Sequence, residues 1–112
     1  MDNVEKAVSY IENSVGAESA ITVIRLAIVD LKKGIDSLNR AFLAEDCASA
    51  SKAAHALAGS LATFALTEAA DVCRTAISGG LSRDTTLECT RRTAAIIEEL
   101  ELIYARKLQK VV

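Results

Sequence analysis

Ile21, Ile24, Ile28, Leu31, Ile35, Leu38 and Phe42 follow one another in alternating steps of three and four residues. That spacing keeps them on one side of an α-helix, the a/d pattern of a bundle seam, and predicts a helix from about Ala17 to Glu45. A strand would need alternation at every second residue. A helix this long must hide its apolar stripe against other helices. Asp30, Lys32, Lys33, Asp36, Asn39 and Arg40 fall on the outer side. Gly34 lies inside the helix, where glycine costs about 1 kcal/mol relative to alanine, and so points to a close helix contact.

The remaining segments supply the partners. Val4, Ala7, Val8, Ile11 and Val15 form a first helical stripe, opened by Asp2 as N-cap with Glu5 three residues later, and Gly16 breaks it. Asp46 is the expected N-cap of a third helix after a short turn around Glu45. Thr67, followed by Glu68, is the expected cap of a fourth, with Leu66 just ahead of it. Leu66, Ala69, Val72, Cys73, Ala76 and Ile77 give that helix its buried side, and Ser78-Gly79-Gly80 stops it. Ser82 or Asp84 opens the last helix, which runs to about Lys110 through Leu87, Ala94, Ile97, Leu100, Tyr104 and Leu108. Arg106, Lys107 and Lys110 suit the negative end of its dipole.

The chain has no proline, and only 4% of its residues are aromatic although 51% are hydrophobic, so the core is aliphatic with closely approaching backbones. The predicted class is all-α. Short turns make consecutive helices antiparallel, which gives an up-down-up-down four-helix bundle with an additional short N-terminal helix across one end. Residues 1–112 form one domain, without repeat or linker. The Ile21–Phe42 seam could be shared between two chains, but the other stripes need partners within the chain, so a monomer is expected.

Composition removes several functions. A net charge of −2 offers no footprint for nucleic acid. Cys47, Cys73 and Cys89 are odd in number, scattered and without a CxxC pair, which suits neither a disulfide framework nor structural zinc. They read as reduced thiols packing as small hydrophobes. The acidic, amphipathic N-terminus does not resemble a secretion signal, no stretch approaches the ~18 apolar residues of a membrane span, and a cytoplasmic location is expected.

Function concentrates between Asp46 and Leu66, which hold the sole histidine, His55. On a helix, Leu57, Leu61 and Phe64 share one side with Ala50, Ala53 and Ala54, while His55 points away from it. Its helical neighbours Ala48, Ser51, Lys52, Ala58, Gly59 and Ala62 are nearly all small, so a large partner can reach the imidazole. Ser51 is within reach of the ring, but no acid orients the pair, and Ser60 lies far round the helix. A self-contained enzyme is therefore not expected. An imidazole can still accept an activated phosphoryl group when a partner supplies metal and charge stabilisation.

The run AAHALAGSLATFALTEAADVCRTAI, from Ala53 to Ile77, resembles the signature of the histidine-containing phosphotransfer (HPt) domain family. That family shows a His-x-x-Lys-Gly core, small residues, an aromatic or leucine, a glycine, and an Ala-Leu continuation into the next helix. His55 falls on the phosphorylatable position, Gly59 on the glycine one turn later, and Ser60 on the small polar position after it. Phe64-Ala65-Leu66 is similar to the run ahead of the next helix, and Cys73-Arg74 to a Cys/Leu-Glu/Arg pair. Ala58 replaces the usual lysine and Ala65 the usual glycine. Lys52, one turn before His55, is the candidate for the missing positive charge, its plain alternative being a solvated lysine.

The resemblance implies a phosphorelay carrier rather than an enzyme, with His55 taking a phosphoryl group from one receiver-domain aspartate and passing it to another. Response-regulator receivers and a hybrid sensor kinase are the implied partners, and the receiver brings the aspartate and Mg²⁺. The chain itself needs no metal or organic cofactor. Lys52, Gly59 and Ser51 would support the phosphoryl group, and Ala48, Ala58 and Ala62 would form the docking face with part of the preceding helix. The alternative is a non-phosphorylatable HPt-like module that binds or inhibits a receiver or sensor kinase.

Overall fold

The computed structural model describes residues 3–111, which form five helices: α1 (Val4–Val15), α2 (Ala17–Leu43), α3 (Cys47–Thr63), α4 (Thr67–Ser78) and α5 (Arg83–Val111). α2 lies against α3 and α5, α3 against α4, and α4 against α5, so these four close a ring, while α1 lies against α2 and α5. The molecule measures 46 × 21 × 18 Å. Its long axis matches α5, whose 29 residues at ~1.5 Å rise extend about 43 Å.

Ile24, Ile28, Leu31 and Leu38 of the predicted seam are buried, together with Ala20 and Ala27. A Cβ on Gly34 would lie 2.8 Å from Leu57 Cδ1, so the glycine is there because α3 comes so close. Four residues earlier on α2, Asp30 Oδ2 accepts a hydrogen bond from Ser60 Oγ at 3.2 Å. The register rises on α2 as it falls on α3, so the two run in opposite directions. α1 is held on α5 by ion pairs, Arg106 to Glu5 and the half-buried Lys107 to Glu12, both at 3.0 Å.

The helix ends follow local chemistry. Asp46 caps α3 as expected, its Oδ1 accepting from Ser49 N at 3.0 Å and its Oδ2 from Ser49 Oγ at 2.7 Å. Those bonds hold the Asp46 carboxyl below its ordinary 3.8. A folded-state pKa below the unfolded one means that this contribution is present above about pH 4 and lost as pH falls through the lowered value. Ser82 caps α5 in a reciprocal box: Thr85 N donates to Ser82 Oγ at 3.2 Å, and Ser82 N donates to Thr85 Oγ1 at 2.8 Å.

Several expectations change. Asp2 lies outside the described residues, and Asn3 is the N-cap of α1, accepting from Lys6 N at 3.0 Å. Thr67 is the first helical residue of α4 rather than its cap; that place belongs to Leu66, which makes no side-chain cap bond but is 1% exposed and anchors the turn by burial. Leu87, Ala94 and Leu108 are exposed on α5, and the inward positions are Thr86, Cys89, Thr93, Ile96, Ile97, Leu100 and Ile103. Thr93 can face the core because its Oγ1 donates to Cys89 O at 2.8 Å. Cys73 and Cys89 are buried and lie within hydrogen-bonding reach of each other. The bond to Cys89, together with burial, pushes the Cys73 thiol well above the ordinary thiol range. Cys47, by contrast, is exposed at the start of α3.

Two non-glycine residues take left-handed backbone, Glu45 at φ 56° and Ala65 at φ 62°. For an L-residue with a Cβ that conformation costs roughly 1–2 kcal/mol, part of which a glycine returns as greater freedom of the unfolded chain. Ala65→Gly is therefore expected to stabilise the fold by about 0.5–1 kcal/mol, read as a higher urea midpoint at unchanged m-value.

Candidate functional site

α3 carries the candidate site. Its buried arc is Ala50, Ala54, Leu57, Ala58 and Leu61, all at most 2% exposed. The His55 side chain is exposed and makes no hydrogen bond or ion pair among the described residues. With two aliphatic leucines and three alanines gripping the core, the helix is fixed by contacts that leave the imidazole uncovered.

The flanks of α3 differ. On the α2 side lies an open groove of about 390 Å³, lined by Ser49, Lys52, Ala56 and Ser60 of α3 and by Lys33 and Ser37 of α2, among others. Neither lysine has an ion-pair partner among the described residues. The opposite flank, through Ala54, Ala58 and Ala62, borders α4. His55 stands beyond that flank, so it points off to the α4 side rather than directly opposite the core.

Six of the seven expected site residues are available at or near the surface. Lys52, Gly59 and Ala48 are exposed, and Ser51 and Ala62 are half-buried beside His55. The seventh, Ala58, is a correction: it is 1% exposed and cannot be touched by a partner. Three residues on from His55 it has rotated about 60° back toward the core, into the seam with α4. Lys52 rotates the other way and lines the groove. Lys33 was not expected in the site. Its place on the outer side of α2 was legible, but the depth of the contact at Gly34, which brings it opposite Lys52, was not.

Gly59 has a different explanation from Gly34. A Cβ placed there meets nothing within 4 Å. Among the described residues no packing requires glycine, and its effect is to leave the surface one turn from His55 without relief. Among the described residues no group of three or more His, Cys, Asp or Glu side chains is placed to hold a metal ion. No helix of the described residues is long and apolar enough to cross a membrane.

Gly59→Ala is expected to stabilise the protein by about 0.5–1 kcal/mol, since it adds helix propensity without a clash. Thermal unfolding followed by circular dichroism checks this, and a lower midpoint would show that Gly59 has a structural role.

Comparison with known proteins places this geometry. No curated protein and no solved structure matched the chain. The family model described as "Hpt domain" matches residues 22–108, from early α2 to near the end of α5 and with His55 inside the match. The chain belongs to the Hpt domain family.

Proposed function

We propose that the chain is a histidine phosphotransfer protein of a two-component phosphorelay, carrying a phosphoryl group on His55 between receiver-domain aspartates. The observation that carries this reading is an exposed imidazole, without a partner among the described residues, on the middle of a rigid helix in a chain of the Hpt family. A ring nitrogen of His55 attacks the phosphorus of an aspartyl phosphate. The N–P bond forms as the acyl P–O bond breaks, the aspartate leaves as carboxylate, and the ring proton passes to solvent. Reversal delivers the group to a second receiver. The receiver's aspartate and Mg²⁺ supply the chemistry, and this chain supplies position, which accounts for much of the acceleration in phosphoryl transfer.

On this reading α2 to α5 run up-down-up-down, because each connection is short and the contacts close a ring. The chain acts as one domain and as a monomer, its seam being covered from within. It is a carrier rather than an enzyme, works in the cytoplasm and uses no cofactor of its own. Ala48, Gly59 and Ala62 give the partner a low surface to rest on. Ser51 and Lys52 stand near enough to support the transferred group.

Incubation with a phosphorylated receiver should place an acid-labile, base-stable label on the protein, and His55→Gln should abolish it while leaving the circular dichroism spectrum unchanged. Measurable receiver binding without label would favour the alternative, a non-phosphorylatable module that binds or inhibits its partner. Label surviving in His55→Gln would exclude the assignment.

A further inference from the structure

We propose that Arg74 of α4 is a phosphate-binding residue, its guanidinium holding the phosphoryl group carried by His55. This rests on the relay reading only in that His55 is the residue that bears phosphate.

The placement follows from which sides of the helices are already taken. α4 has two helical neighbours, α3 and α5. Its α5 flank is fixed by a groove in which Val72, Thr75 and Gly79, with Asp71 at the groove's α4 side, face Thr85 and Glu88 of α5. The opposite flank, carrying Ala70, Arg74 and Ile77, therefore borders α3. On α3 the same reasoning applies: the α2 groove takes up the side of Ala53, Ala56 and Ser60, so Ala54, Ala58 and Ala62 form the flank toward α4. His55 and Arg74 emerge at the outer edges of these two facing flanks.

They also match in height. α3 and α4 are joined by three residues, Phe64 to Leu66, and lie against each other. Counting from the turn, His55 is eight residues back from Thr63 and Arg74 seven residues on from Thr67, which at ~1.5 Å per residue puts them about 12 and 10 Å from it. Ala58, three residues on from His55, is buried between these flanks and brings no charge to the seam. A phosphoryl group on His55 brings close to two negative charges to the seam's outer edge.

Arg74 is able to respond. Its side chain is 50% exposed, and its partner is Asp71 on the same helix, Nη1 to Oδ1 at 3.1 Å. Such a surface pair three residues apart is weak, and a phosphoryl dianion offers the guanidinium a planar, two-point acceptor. Lys52, the other nearby cation, sits about 60° round α3 from His55 on the groove side. The two cations bracket the imidazole.

The test uses chemical phosphorylation, which needs no receiver. Potassium phosphoramidate transfers its phosphoryl group to a histidine ring nitrogen, the reagent's P–N bond breaking with release of ammonia. The protonation of the phosphoryl group on His55 is then followed by ³¹P NMR against pH. Removing a cation disfavours the dianion, so Arg74→Ala and Arg74→Gln should both raise the midpoint by at least about 0.3 pH units, a twofold change in proton affinity. Arg74→Lys should recover part of the shift. Arg91→Ala, which removes an arginine of α5 paired to Glu88, should leave the midpoint unchanged. A midpoint in Arg74→Ala and Arg74→Gln equal to wild type, or a shift no larger than that of Arg91→Ala, would overturn the assignment. Failure of every receiver to exchange phosphate with wild-type protein would count against the relay and leave this comparison standing.

Discussion

The approach of α2 to α3 at Gly34 is the contact on which the arrangement of the site depends. With Leu57 Cδ1 only 2.8 Å from where a Cβ would stand, the Leu57 side chain packs directly on the Gly34 backbone. Ala50, Ala54 and Ala58 extend the same economy along α3, where buried alanines allow neighbouring helices to approach. A helix gripped this closely needs few large side chains to hold it. Its outer side can then be built from small residues without loss of order, and the one large polar group left there, His55, stands on a rigid, shallow base.

The turns at the two ends of α3 reinforce that placement by one device used twice. Past each helix end a non-glycine residue adopts left-handed backbone, Glu45 after α2 and Ala65 after α3. In each case the following amide reaches back to a carbonyl five residues earlier, Asp46 N to Ala41 O at 3.0 Å and Leu66 N to Leu61 O at 2.8 Å. The strain, roughly 1–2 kcal/mol per residue, is offset by these bonds and by what the turn secures. At the second turn that is burial of Leu66, a contribution of about 2 kcal/mol for a fully covered leucine. At the first it is the Asp46 cap, which begins α3 at a defined residue.

Helix number, order and approximate ends were legible because the apolar steps of α1 and α2 are regular and the caps at Asp46 and Ser82 use side chains with one evident purpose. What was not legible has physical causes. In the first half of α5 the inward residues are Thr86, Cys89 and Thr93, and Thr93, which returns its hydroxyl to the helix backbone, looks polar in sequence while behaving as apolar in the core. Leu87 and Ala94 therefore suggested a register rotated from the real one. Ala58 was misread because alanine fits either side of a helix, and only the position of α4 decides between them. Leu66 hid its capping role because it anchors by burial rather than by a hydrogen bond. Gly34 and Gly59 are the same residue type within helices, yet one answers to a neighbour and the other to open space, a distinction that the sequence does not carry.

In the proposed relay the charges around His55 are as informative as the histidine. Lys33 and Lys52 line the groove on one flank, and Arg74 is proposed to act from the other. Two carboxylates share these flanks, Asp30 in the groove, bonded to Ser60, and Asp71, paired with Arg74. The positive groups available to an incoming phosphoryl group are exposed side chains rather than a buried, fixed clamp. A buried cation would hold the phosphorylated histidine more tightly than the transition states leading to and from it, and tight ground-state binding slows departure. Exposed cations, weakened by solvent, stabilise arrival and release to similar degrees. A carrier that must give up what it accepts is better served by that arrangement than by one that binds its cargo firmly.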